Sequence, residues 1–395
     1  MGRLNYSLII ILLLSVTATQ ISADIYTPSF PTIAHYFVVP ISKVQLTLFI
    51  HSLGISIGGL VYGPFSDRYG RKAILIISLT IAFIGSLVCL FSKSIEFMFI
   101  GRLIQGFGFG YTGVIRAILR DIEDNPIRLA RLVSVLGVTY ALFAIFGPIV
   151  GGYIEHYAFW RLDFLFLVVY AGLILSFYIF KFKNTNKPLS EFKLGLICQT
   201  FFEICTHRQF VFYNIISALT FAGTMAYITK AAYLLEIRLH LLPVQFGYTY
   251  ILFVVMGILG NFINMWIVAR RSRTSILKIS SIMIMISGAV LLISGYYNLV
   301  SLWLILSMVG VYAFFSSFIY GNAMAGAMHS FKDKAGTAGG VFSFIQNGGA
   351  ALGSALISIV PSDNQTSLGG LLFFFSLIEL WLIRLIINDE KKVII

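Results

Sequence analysis

The sequence predicts an all-α membrane protein of twelve spanning helices, arranged as two pseudo-symmetric six-helix bundles, and three observations predict it. Of its 395 residues 58% are hydrophobic and 11% are charged, against roughly 25% charged in soluble domains. Apolar runs of the length needed to cross hydrocarbon recur along the whole chain, separated by short polar or Gly/Pro breaks. A shift of 202 residues lays Arg71 and Ile74-Leu75 over Arg273 and Ile276-Leu277, and Gly147 and Gly151 over Gly349 and Gly353, the mark of a parallel repeat whose halves enclose a central site.

In the first half the runs fall near 7–28, 43–64, 72–91, 96–118, 131–154 and 160–181. The first is read as an uncleaved span, since it outlasts a signal core and has no cleavage site behind it, and Tyr6 is unsuited to N-myristoylation. The second and third are separated by Gly63-Pro64-Phe65-Ser66-Asp67-Arg68-Tyr69-Gly70-Arg71-Lys72, which carries four charges and so must be a turn at a membrane surface. A polar interval at 182–207 holds Lys183, Lys187, Pro188, Glu191 and Lys193, then Leu194 to Cys205 as a helix lying on the surface. It links a bundle at 1–181 to a second at 208–395. There the runs fall near 209–235, 245–269, 276–297, 300–325, 336–359 and 368–388.

With both termini inside, 21 Lys and Arg residues collect on the cytoplasmic side, and Lys43, Lys93, Arg161 and Arg238 fall outside. Retention of positive loops in the cytoplasm fixes that orientation. The net charge of +12 is scattered singly through apolar sequence, which argues against a nucleic-acid partner; the partner is the lipid bilayer. Cys89, Cys198 and Cys205 give no disulfide or metal spacing. No paired acids, nucleophile elbow or phosphate loop points to an enzyme, and no polar rings point to a channel.

The segment Gly63 to Lys72 resembles the loop signature of the major facilitator superfamily, roughly G-x-L-A-D-R-x-G-R-K. Pro64-Phe65 depart from it, while every charged position is kept. Arg102-Leu103-Ile104-Gln105-Gly106 and Gly147-Pro148-Ile149-Val150-Gly151-Gly152 resemble the fourth- and fifth-helix motifs of its drug/proton antiporters, with bulky Phe143 where that family has a glycine. Asp24-Ile25-Tyr26-Thr27-Pro28, Tyr62-Gly63-Pro64, Arg116 to Asp121 and Trp160-Arg161 resemble the Bcr/CflA (bicyclomycin-resistance) branch. The resemblance implies a monomeric proton-coupled carrier of the bacterial inner membrane, working without a cofactor on a small solute and protons. Its activity would be efflux, multidrug resistance or siderophore export.

Candidate residues follow. Asp24 is the one clearly intramembrane acid of the first half, and a carboxylate removed from water favours its protonated form, as proton coupling requires; the alternative is a wet residue at the outer mouth. The resemblance implies that Arg102 shares in that coupling. As an intramembrane cation it is a partner for Asp24, unless it snorkels outward. Lys230 is costly in lipid unless it faces a substrate anion, pairs with Asp24, or snorkels beside Glu236. Tyr26, Gln105, Tyr227, Asn214, Asn261, Gln346 and Asn347 are candidates for the cavity wall, with helix packing as the competing role. Glu379 is read as a local partner of Arg384.

Gly63, Asp67, Arg68, Gly70, Arg71, Arg120 and Arg131 form the cytoplasmic gate. There the resemblance implies that Asp67 docks on the helix start at 335–340, with Arg120 or Arg131 completing the network. Gly147, Pro148, Gly151 and Gly152 form a hinge. Import of a nutrient on the same scaffold, and a sensor without transport, remain the other readings.

Overall fold

Prolines and glycines set the element boundaries in the computed structural model, which describes residues 6–123, 125–182, 194–360 and 363–394. The first apolar run is not one helix. Helix α1 (Tyr6–Asp24) ends four residues before Pro28, a 3-10 turn follows at Thr27–Ser29, and α2 (Phe30–Phe37) carries the span outward. Pro28 cannot donate to the helix and bars its predecessor from helical geometry. Thr27 Oγ1 instead donates to the Asp24 carbonyl at 2.7 Å.

Helix α3 (Ile41–Tyr69) and α4 (Arg71–Leu90) meet at Gly70, whose φ of 101° is a conformation that favours glycine. The run expected as one helix over 96–118 is two, α5 (Ile95–Phe109) and α6 (Thr112–Ile122), broken at Gly110 and Tyr111. The glycines leading to the break sit in close backbone packing. A Cβ on Gly106 would stand 2.1 Å from the His51 carbonyl oxygen, one on Gly108 2.2 Å from the Ala82 nitrogen, and one on Gly110 2.6 Å from the Gly59 nitrogen. Among the described residues eleven helical segments are long and apolar enough to cross a membrane; α5 and α6 in series supply a further crossing.

The remaining elements are α7 (Pro126–Tyr157), α8 (Arg161–Phe180), α9 (Leu194–Thr206), α10 (Arg208–Ala232) with a π-helical turn at Tyr233–Arg238, α11 (Pro243–Ile267), α12 (Arg273–Tyr296), α13 (Leu302–Met328) with a 3-10 segment at His329–Lys334, α14 (Ala335–Ile359) and α15 (Thr366–Ile394). No strand occurs among the described residues. The expected surface helix corresponds to α9, which packs on α10 and α14; most of the expected linker, 183–193, lies outside the described residues.

In the first half α1 packs on α7, α5 on α3 and α4, and α4 on α8; in the second, α10 packs on α14, α11 and α12 on α13, and α12 on α15. The second glycine of the repeated pair does the same work in both halves, and Gly349 shares it, whereas a Cβ on Gly147 would meet its neighbours only at 3.5 Å. A Cβ on Gly151 would lie 1.6 Å from the Ile25 carbonyl oxygen, and Cβ atoms on Gly349 and Gly353 would lie 2.4 and 2.0 Å from the Ala218 and Ala222 carbonyl oxygens. Small residues are what allow such approach where lipid gives no hydrophobic drive. The halves meet along two seams, α3 on α14 and α7 on α11.

Candidate functional site

A cavity of about 460 Å³ lies between the halves. Its walls come from α3 (Ser56, Gly63, Asp67), α6 (Arg116, Arg120), α13 (Met324, Met328) and α14 (Gly339, Gly340, Asn347). It opens at the end of the bundle that carries Gly63–Lys72, called the loop end here, where the expected surface turn is in fact the last turns of α3 and the start of α4 with Gly70 alone between them. Deeper in, Ser56 Oγ donates to the Phe344 carbonyl at 2.9 Å.

The opposite, far end is shut. Gln45 Nε2 donates to the Thr229 carbonyl at 2.9 Å, and the Tyr153 and Tyr248 hydroxyls stand 2.7 Å apart. Gly152 seats on the Pro243 carbonyl and Gly247 on that of Pro148, with built Cβ atoms at 2.5 and 2.7 Å. Gly152 and Pro148 thus mediate backbone contact across the seam, while Gly147 and Gly151 face Asp24 and Ile25 of their own half, inside a helix that runs unbroken from Pro126 to Tyr157.

At the loop end Asp67 pairs with Arg71, whose Nε reaches Asp121 at 3.0 Å and whose Nη1 donates to Ser66 Oγ at 2.6 Å. Asp121 of α6 therefore joins the network for which Arg120 or Arg131 was expected. Arg120 and Arg131 are both exposed, and Arg68 lies over the Tyr69 ring at 5.2 Å. Among the described residues Asp67 forms no bond to the start of α14; it and Gly339-Gly340 stand on the wall of the same open cavity.

Arg102 does not snorkel. It is fully buried, its Nη1 donating to the Ser22 carbonyl at 2.9 Å and to Gln105 Oε1 at 2.5 Å, with its guanidinium 4.3 Å from the Tyr26 ring centre. Gln105 is held in turn by Ser86 Oγ at 2.8 Å, and Tyr26 by Thr47 at 2.7 Å. Nε and Nη2 of Arg102 have no hydrogen-bond partner.

Asp24 is 1% exposed and accepts from Gln20 Nε2, while its Oδ1 is unpartnered. It faces α7, where a Cβ on Gly147 would sit 3.5 Å from its own Cβ, and it lies within Coulombic reach of Tyr140 and of Tyr250 from the second half. The expected Asp24–Arg102 ion pair does not form. Ser22 and Tyr26 turn one face of the chain to Arg102, and Asp24 turns the other to the seam.

The remaining candidates scatter. Lys230 Nζ sits 4.5 Å from the Tyr233 ring centre and within reach of the Asp363 charge, away from Asp24 and off the wall of this cavity. Tyr227 is buried against Phe253 at 5.3 Å. Asn214 is buried with both side-chain polar atoms unpartnered. Asn261 is exposed, and Gln346 donates to Ser217 Oγ at 2.8 Å. Glu379 does not pair with Arg384: it is buried and accepts from Thr220 Oγ1 and Ser281 Oγ, each at 2.8 Å.

His51 belongs to the Arg102 cluster and sequence reasoning missed it. It is fully buried, its Nε2 is 3.2 Å from Ser22 Oγ and its Nδ1 is unpartnered. An ionisable ring in mid-span was the available signal.

Comparison with known proteins agrees with the architecture. The family model described as Major Facilitator Superfamily matches residues 12–354. The chain is similar to the bicyclomycin resistance protein homolog of Haemophilus influenzae, 28% identical over 89% of this chain and 87% of that one. It is also similar to multidrug resistance protein D of Escherichia coli, 25% identical over 95% and 94%. Its fold is that of the Escherichia coli xylose transporter XylE, with a TM-score of 0.72 at 14% identity and 97% of each chain covered.

Proposed function

The chain belongs to the Major Facilitator Superfamily and is a multi-pass membrane transporter, not an enzyme, and on that premise we propose that it is a proton-coupled exporter. It moves a small amphiphilic solute across the bacterial inner membrane by alternating access, as a monomer with cytoplasmic termini, driven by the proton gradient without a cofactor. The loop end is then the cytoplasmic end. One observation carries the reading: Asp24, buried at the seam of α1, α7 and α11, has an unpartnered oxygen and no cation bonded to it. A carboxyl so placed exchanges its proton when the seam opens, and its charge acts on Arg102 across the helix.

Export and drug transport draw support from the relatives named for bicyclomycin and multidrug resistance. A second reading of the solute rests on the cavity. Arg116 and Arg120 stand exposed on its wall, so a carboxylate-bearing metabolite, siderophores included, finds its counter-charge there rather than at Lys230.

The test is a panel of cationic drugs and carboxylate metabolites, measured for concentrative uptake into everted vesicles under an imposed pH gradient. Uptake should vanish when the gradient is collapsed. An Asp24→Asn protein should still bind solute and lose uphill flux. Gradient-driven flux surviving in that variant removes Asp24 from the coupling step.

A further inference from the structure

Three carboxylates that the coupling scheme leaves unused meet at the far end. Glu155 closes α7, Asp163 opens α8, and Glu236 lies in the π-helical turn after α10, so the group spans both halves. Asp163 is fully buried and takes the Ser29 hydroxyl at 2.8 Å; Glu155 takes the Thr32 hydroxyl. Glu155 is within Coulombic reach of both other acids. Each of the three retains a buried oxygen without a donor: Asp163 Oδ1, Glu155 Oε2 and Glu236 Oε1.

The surrounding cations are engaged elsewhere or face outward. Arg161 donates to the Tyr36 hydroxyl at 3.1 Å and the Ser92 carbonyl at 2.8 Å and lies over the Trp160 ring. His156 packs on Tyr157. His35 on α2, Arg238 in the π turn and His240 beyond it are exposed, and α11 presents Tyr248 and Tyr250. Among the described residues none of these cations forms an ion pair with the three acids. Asp163 is fully buried, and Glu155 and Glu236 are half-buried with one enclosed oxygen each; carboxylates so placed without a counter-cation repel one another, and holding a proton among them relieves that repulsion.

We propose that Glu155, Asp163 and Glu236 are a second, seam-spanning proton site: the far end closes when the group holds at least one proton and opens as that proton passes to solvent. The inference rests on the alternating-access reading but not on Asp24 as the coupling acid. It makes closure of the far end favourable in acid, since a proton held in the closed state and released on opening changes the closed/open ratio by up to about tenfold per pH unit.

Hydrogen exchange of the full chain in lipid nanodiscs tests it, read at residues 150–157 and 236–248 and corrected for the intrinsic pH dependence of exchange. Protection at these amides should fall as pH rises from about 5.5 to about 8.5, by up to tenfold per unit. The Glu155→Gln/Asp163→Asn/Glu236→Gln protein should stay protected throughout. Glu236→Gln by itself, which removes only the second half's contribution, should flatten the response, and it serves if the triple variant does not fold. Asp24→Asn should keep a pH slope at these amides, reduced at most by the share that Asp24's own proton contributes. A flat parental profile, a parental slope in the triple or single seam variant, or loss of the slope in Asp24→Asn each overturns the proposal.

Discussion

Arg102 is anchored by directional contacts rather than by an opposite charge. One nitrogen bridges a carbonyl and an amide oxygen, and the plane lies on Tyr26. A lysine keeps the charge but cannot reproduce a planar group that bonds and stacks at once. Arg102→Lys should therefore cost at least about tenfold in gradient-driven flux, corresponding to about 1.4 kcal/mol, while the protein still inserts and folds; full flux in proteoliposomes would count against the cluster's part in coupling. Gln105→Leu strips a partner from both Arg102 and Ser86. Leaving such buried groups unsatisfied costs about 1–3 kcal/mol, to be read as a lowered unfolding midpoint in detergent. Glu379 differs, because both its oxygens accept from rotatable hydroxyls. Glu379→Gln should fold with near-parental stability, and Glu379→Leu should not.

At the scale of elements the glycines sort by what faces them. Gly151 lies against the carbonyl oxygen of Ile25, just past the end of α1, and Gly353 against that of Ala222 in α10, whereas a Cβ on Gly172 would meet only the Phe83 side chain at 3.4 Å. Gly151→Ala and Gly353→Ala should each destabilise by about 1–3 kcal/mol or more through overpacking, and Gly172→Ala should be nearly neutral; thermal unfolding of the three variants side by side decides it. The glycine repeat was legible in the sequence because the same backbone approach recurs at one spacing. The apolar runs were legible because hydrocarbon demands them. The break at Gly110-Tyr111 was not, since the run holds several glycines, Gly106, Gly108, Gly110 and Gly113 among them, and only the fold shows that the helix passes through Gly106 and Gly108 and stops at Gly110, against α3. Asp24 and Arg102 were both recognisable as intramembrane charges, yet their separation depends on which face of one turn each occupies. Glu155, Asp163 and Glu236 escaped because they lie at ends of predicted spans, where sequence reads a solvated acid, and only the fold brings them to one seam.

For the molecule as a whole the two ends compete. The loop end is open around Asp67, Arg71 and the start of α14, while the far end is tied by Gln45 to Thr229 and by Tyr153 to Tyr248. On the proposed alternating-access reading the halves rock about one centre, and loosening one end should shift the population toward opening at that end. Gln45→Ala with Tyr248→Phe removes two ties, each hydrogen bond contributing about 0.5–1.5 kcal/mol, and should favour the far-open state. Asp67→Asn removes the anion available to the start of α14 while Arg71 keeps Asp121 and Ser66, and should favour the loop-open state. Hydrogen exchange read in one experiment at 60–69 with 335–345, and at 150–157 with 240–248, should show the two variants moving in opposite directions at both ends, with solute affinity altered less than the populations. Parallel shifts, or none, would mean that the two ends are not linked through a common rocking motion.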